Sequence, residues 1–383
     1  MLAIINAELV MRDHLIPDAV LFVENGKIAG FGEMRNTPIP VECEVLDAKG
    51  DYVAPGLVDI HTHTGDCWQF WQEPVKAALY HLEHGTTTVL PASYARMSLA
   101  QHVEMGRNIH EAMRQPGGET IAGVYMEGPY TNPKFGSNRA RNPWNKPVEA
   151  SDYEPMIAAC GDIARAWTVA PEREDILPFV LAAKKANPDV KFTVGHSEAT
   201  PQQIEALMPY GLCIGTHHTN ATGDLPKYPE CRGVCVDEAV NYNREIYAEI
   251  ICDSRGIHVD PYMQRLVRKI KGDDRIILIS DRTYADAPNP PGYDDVKDIN
   301  FDQWGDIAGS KLTLDVACRN YMKHTGASLV DAFKVASYNP ARVMGFTDRG
   351  EIAVGLRADL VITDHKMNIN TVILGGEVKR KDA

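Results

Sequence analysis

Leu57-Val58-Asp59-Ile60-His61-Thr62-His63 is the stretch whose reading decides the fold. Pro55-Gly56 punctuates its start, an apolar run follows, and the run gives way to alternation, as in a buried strand. Residues two apart on a strand face the same side. The imidazoles of His61 and His63 therefore aim into one space. Two neutral imidazoles converging at a strand end suit zinc or a similar divalent ion. A pair of packed core histidines would have the same spacing, so the ends of the other strands must decide.

From Leu57 onward, strand patterns alternate with amphipathic helical ones. The strands read as Leu57-His63, Thr86-Pro91, Ile121-Glu127, Ala164-Ala170, Lys191-His196, Cys213-His217, Ala248-Cys252 and Arg275-Asp281. Helices are expected at Pro74-His84, Ser98-Arg114, Ile176-Ala186 and Pro201-Met208, the last with Thr200 as N-cap and Pro201 at the first helical position. A further helix is expected near Leu312-His324, and another over Asp331-Tyr338 that Pro340 stops. Eight strand-helix units predict an α/β fold, a TIM-like (β/α)8 barrel.

Both chain ends read differently. Leu2-Ile5, Ala19-Val23, Lys27-Gly32 and Glu44-Asp47 are short strand patterns, with Asn25-Gly26 as a hairpin signal. Leu360-Thr363 and Thr371-Leu374 resume that pattern near the other end. Each set is too small to bury a face alone. Together they predict a small β-sandwich domain built from residues 1–54 and 346–383, beside a barrel over 55–345.

The polar residues gather at one edge of the expected barrel. His61 and His63 end the first strand, Glu127 the third, His196 the fifth, His217 the sixth and Asp281 the eighth, while His258 follows the seventh. Carboxyl ends of strands form the rim where barrel enzymes build their sites. Imidazoles plus one carboxylate can hold one or two divalent ions, and Glu127 can bridge two through its two oxygens. Asp281 can take a proton from water and return it to a leaving group. His258 could polarise a substrate carbonyl. This is equipment for metal-assisted amide hydrolysis. The bland alternatives are an exposed acid in a turn for Glu127, since Gly128-Pro129 follows it, and an ion pair with Arg282 for Asp281. His218, adjacent to His217, should point the other way, and His81, His84, His102 and His110 read as ordinary helix residues.

Absences discriminate as well. The fourth strand, Ala164-Arg165-Ala166-Trp167-Thr168-Val169, offers no lysine that could be carboxylated to bridge two metals, so that work falls to Glu127. No glutamate follows His217 at the offset that ring deamination needs. A net charge of −13 argues against a nucleic-acid or anionic-membrane surface. No apolar run reaches membrane-spanning length, and eight scattered cysteines fit reduced thiols in a cytoplasmic protein. Cys231 and Cys235 form the one close pair, with no second pair to complete a zinc site.

Pro55-Gly56-Leu57-Val58-Asp59-Ile60-His61-Thr62-His63 resembles the metal motif of the amidohydrolase superfamily. Glu127-Gly128-Pro129-Tyr130, Gly195-His196-Ser197-Glu198-Ala199-Thr200, Thr216-His217-His218-Thr219-Asn220-Ala221 and Ile257-His258-Val259 resemble the N-acetylglucosamine-6-phosphate deacetylase family within it. So do Gly309-Ser310-Lys311-Leu312-Thr313 and Asn339-Pro340-Ala341-Arg342, and the likeness spans nearly the whole chain. The resemblance implies that Glu127, His196 and His217 bind the main metal, that His61 and His63 can fill a second site, and that Asp281 is the acid/base. It implies that His258, Asn220 and Ala221 contact substrate and that the chain forms a homodimer. Removal of an acetyl group from an N-acetylated amino sugar phosphate is the activity so implied. A deacylase of N-acyl amino acids or another small amide, and an inactive barrel serving as a binding subunit, are the alternatives.

The chain departs from the family where a substrate pocket would form. Tyr125 stands where the family usually has histidine, Gly136-Ser137-Asn138-Arg139-Ala140-Arg141 where it has Gly-Ala-His, and Asp281-Arg282 where it has Asp-Ala. A longer loop after Asn220 carries Lys227 and Arg232. Arg232, Arg139 and Arg141 are candidates to grip an anion.

Overall fold

The computed structural model describes residues 1–137, 139–223, 226–285 and 287–381. The fold is α/β. Its strands are β1 (Leu57–Thr62), β2 (Thr86–Pro91), β3 (Val124–Met126), β4 (Ala164–Val169), β5 (Lys191–Val194), β6 (Leu212–Gly215), β7 (Tyr247–Ile251) and β8 (Ile276–Ile279). β3 to β8 form one six-stranded sheet in chain order, every neighbour parallel. β1 and β2 form a second parallel pair. Bridges Val89↔Ile121 and Ala92↔Tyr125 set β2 beside β3. At the other side, Asp281 N–H donates to the His61 carbonyl at 2.9 Å and His63 N–H to the Arg282 carbonyl at 2.9 Å.

Parallel neighbours need long crossovers, and a helix supplies each one. Pro74–Glu83, Leu99–Ala112, Ala150–Cys160, Ile176–Ala186, Pro201–Leu207, Val236–Tyr242 and Pro261–Lys271 separate successive strands, and Leu314–Thr325 follows β8. Packed against these helices, strands can be buried on both faces; every residue of β1 and β2 is buried. Capping boxes start several helices, among them those at Ser98 with Gln101 and Thr200 with Gln203. Inside, Tyr125, Thr168, Thr193 and Thr216 join hydroxyls across β3 to β6 at 2.6 to 3.1 Å, so no buried oxygen among them lacks a partner.

The chain ends meet in one eight-stranded sheet, in which Leu2–Val10 branches to pair both Glu44–Asp47 and Tyr52–Pro55. Tyr52–Pro55 pairs antiparallel with Leu360–Thr363, which joins the two ends. Ile4, Leu9, Leu21, Val53, Leu360 and Ile373 form a core of their own there. Asn25 and Gly26 have φ of 51° and 75°, as the two-residue hairpin turn demands.

One helix differs from its sequence reading. Pro340 does not stop the Asp331-Tyr338 segment: Leu329–Phe333 passes through a wide π turn at Lys334–Tyr338 into another helical turn, Asn339–Val343. Proline falls in the first turn of that last piece, where an absent N–H costs nothing. Among the described residues, no helix is long and apolar enough to cross a membrane.

Two buried helix histidines make the fold sensitive to acid. Burial pushes the His81 imidazole down to about 3 and the His102 imidazole down to about 4, from 6.5. Between pH 4 and 6.5 the unfolded chain therefore binds more protons than the folded one, so these groups lower stability as pH falls. His102→Gln is expected to lose less stability than the parent chain between pH 6.5 and 4, by up to about 1.4 kcal/mol per unit of depressed pKa. Urea midpoints of the two proteins across that range provide the check.

Candidate metal and catalytic site

The carboxyl ends of the strands converge on one carboxylate. Glu127, just past β3, receives His61 from β1 and His196 and His217 from just past β5 and β6. Glu127 Oε1 is 2.9 Å from His196 Nε2, 3.2 Å from His217 Nε2 and 3.7 Å from His61 Nε2. Glu127 Oε2 is 3.3 Å from His63 Nε2. Asp281 Oδ1 is 3.1 Å from His63 Nε2 and 3.9 Å from His61 Nε2. The six residues proposed from strand-end spacing thus stand together, although 220 positions separate the first from the last.

Backbone conformation at this edge is unusual. His196, His217 and Asp281 have φ of 46°, 31° and 44°. Residues other than glycine seldom occupy this region, and such strain collects at functional sites. Each turn swings a side chain from its strand end toward Glu127. Gly195, preceding His196, leaves room that no side chain could share: a Cβ there would lie 2.5 Å from the Thr216 Cβ.

Electrostatics keep the acids ionised. Burial pushes the Glu127 carboxyl up, but His61, His196 and His217 outweigh it and hold the group well below the usual carboxylate range. Burial likewise opposes ionisation of Asp281, and His63 and His61 overcome it, so that its pKa is also lowered. Arg282 takes no part in this. Its guanidinium donates to the carbonyls of Lys311 and Leu312 and lies 4.7 Å over Tyr80.

The donor set fits a divalent cation. His61, His63 and Glu127 form one group, and Glu127, His196 and His217 a second, with ligand atoms in each within 4.8 Å of one another. His61 Nε2 is buried and makes no hydrogen bond, the condition of an atom whose partner is an ion. Imidazole nitrogen with carboxylate oxygen is a ligand mixture that zinc accepts.

A cleft of about 630 Å³ opens above this cluster. His258, Asn220 and Ala221 line it. His258 Nδ1 lies 3.1 Å from Asp253 Oδ2, while its buried Nε2 has no hydrogen-bond partner. The Asn220 carbonyl accepts from His217 Nδ1–H at 3.0 Å. Arg139 and Arg141 also line the cleft. Arg232 does not. It sits on the exposed hairpin Pro226–Tyr228/Cys231–Arg232 and pairs with Glu238 at 2.9 Å. In this chain the hairpin holds it apart from the residues that line the cleft. Cys231 and Cys235 are both free thiols, and His218 turns away to Asn241 at 3.1 Å.

Four participants escaped the sequence reading. Glu249 on β7 contacts His61, and Asp253 orients His258. Tyr94 stacks on His63 at 4.3 Å between ring centroids, and the Arg96 guanidinium lies 4.9 Å from the Tyr94 ring centroid. A charged residue inside the apolar run Ala248-Glu249-Ile250-Ile251 was the one signal among these that could have been noticed.

Comparison with known proteins finds relatives along the length of the chain. The amidohydrolase family model matches residues 271–379. The chain is 27% identical to N-acetylgalactosamine-6-phosphate deacetylase of Escherichia coli O157:H7, covering 97% of both proteins. It is 25% identical to N-acetylglucosamine-6-phosphate deacetylase of Lysinibacillus sphaericus, covering 94% of this chain and 92% of that one. The crystal structure of N-acetylglucosamine-6-phosphate deacetylase from Thermotoga maritima superposes with a TM-score of 0.83 at 25% identity, over the full length of both chains.

Proposed function

We propose that this protein is a metal-dependent amide hydrolase that removes the acetyl group from an N-acetylated hexosamine 6-phosphate, glucosamine or a close relative such as galactosamine. The observation that carries the reading is Glu127, with one oxygen facing His196 and His217 and the other facing His63. His61, His63, Glu127, His196 and His217 would hold one or two divalent ions, zinc first among them by ligand type. A bound ion there supplies Lewis acidity toward water and the acetyl carbonyl.

The protein's own groups do the rest. Asp281 takes the proton of the attacking water. As the water oxygen bonds to the acetyl carbon and the C–N bond breaks, Asp281 returns that proton to the departing nitrogen, so acetate and amine leave. Asp253 accepts from His258 Nδ1–H in this reading, and His258 Nε2 meets the carbonyl oxygen or a sugar hydroxyl. Asn220 and Ala221 line the sugar's place. Arg96, Arg139 and Arg141 border the same cleft in a chain of net charge −13, and guanidinium groups suit a phosphate or a carboxylate.

We read β1 to β8, with the bridges and hydrogen bonds joining β1–β2 to β3 and β8, as a closed (β/α)8 barrel spanning 55–345. Residues 1–54 and 346–383 would form the small β-sandwich domain. A cytoplasmic homodimer completes the reading.

The test is hydrolysis by zinc-loaded protein of N-acetylglucosamine 6-phosphate, N-acetylgalactosamine 6-phosphate, their unphosphorylated forms and a set of N-acyl amino acids. The reading expects the phosphorylated sugars to be preferred, and Arg96→Ala to narrow that preference by raising KM. Turnover confined to N-acyl amino acids would favour the other deacylase, and no turnover of any amide would favour a binding role.

A further inference from the structure

Glu249 is fully buried in β7, among Ala248, Ile250 and Ile251. Its Oε2 is 3.3 Å from His61 Nδ1 and accepts the His217 backbone N–H at 3.2 Å. Its Oε1 is buried with no hydrogen-bond partner. An ionisable group without full compensation is costly inside a protein, and an apolar side chain would serve the strand better. What the carboxylate gains is control of the two ligands.

A neutral imidazole carries its proton on one nitrogen only. An acceptor at Nδ1 fixes the proton there and leaves the lone pair on Nε2. His61 Nε2 is the buried, unpartnered atom that faces Glu127. The Tyr125 ring, stacked on His61 at 4.3 Å, hinders the imidazole from turning out of this orientation. Through the His217 N–H, the same oxygen also steadies the backbone of the second ligand group.

We propose that Glu249 is a positioning residue that fixes the tautomer and orientation of His61 and so sets how tightly the His61/His63/Glu127 group holds a divalent cation. This rests on the reading above that the group takes such an ion. Outer-shell partners of metal-bound histidine typically govern affinity by about 10- to 100-fold.

The test strips the full-length chain with a chelator and titrates it with zinc by calorimetry. The step abolished in His63→Ala identifies the ion at this group. In Glu249→Leu that step should weaken by about 10- to 100-fold, with a smaller change at the Glu127/His196/His217 group. Glu249→Gln should recover most of the loss, because its amide oxygen can still accept from both donors. A second readout is nitrogen NMR of labelled histidines: His61 should hold its proton on Nδ1 in the parent chain and in Glu249→Gln, and lose that preference in Glu249→Leu. Should Glu249→Leu fail to fold, Glu249→Asp, whose shorter side chain withdraws the acceptor, carries the same expectations. Unchanged zinc steps with an unchanged His61 tautomer would overturn this proposal alone. A parent chain that takes up no zinc would overturn the hydrolase reading and this proposal with it.

Discussion

Asp281→Asn is expected to lower kcat by about 10²- to 10⁴-fold, the range that a positioned acid/base contributes, while bound metal stays at the parent level. The amide keeps the shape of the carboxylate but cannot accept a proton from water. The proposed function gives Asp281 that task. Its Oδ1 stands 3.1 Å from His63 Nε2, its side chain lines the cleft, and the neighbouring arginine is engaged elsewhere. A structural ion pair would give a different result, with lost stability and retained turnover. Steady-state rates alongside elemental analysis of the same preparations separate the two, and a variant with more than half the parent kcat would remove Asp281 from the chemistry.

Glu127→Ala should have a larger effect on metal than on any other property. Its oxygens are common to both candidate ligand groups, so one substitution strips a ligand from each. Metal affinity is expected to fall by more than about 100-fold, beyond the loss caused by an outer-shell partner, and turnover should fall with it. Without the carboxylate, His196 Nε2 and His217 Nε2 face each other at 3.0 Å with no anion between them and His61. Excess zinc should restore little activity. Elemental analysis and rates measured across a zinc series provide the check; full metal content in Glu127→Ala would show that the ion, if held, is held elsewhere.

The strand ends were readable from sequence because a parallel strand-helix repeat puts every carboxyl end on one rim. His61, His63, Glu127, His196, His217 and Asp281 needed only the period-two rule and the alternation to be grouped. Asn25-Gly26 and the caps at Ser98 and Thr200 were local signals with local causes. Other features depend on geometry that no window of sequence contains. Arg232 lay near Asn220 along the chain, but a hairpin turned it to Glu238. Pro340 follows a π turn, which no propensity announces. Glu249 meets His61 across 188 positions, and only packing brings them together. The branching of Leu2–Val10 between two partner strands was likewise hidden, since each short pattern looked independent.

The central claim is that Glu127 and the imidazoles around it hold a divalent ion at the mouth of the strands. Anomalous X-ray scattering at the zinc edge, from crystals of the zinc-loaded protein, examines that directly. The account predicts an anomalous peak bonded to Glu127, His196 and His217, with any second peak at His61 and His63. Well-ordered side chains at these positions with no peak among them, in protein saturated with zinc, would contradict it.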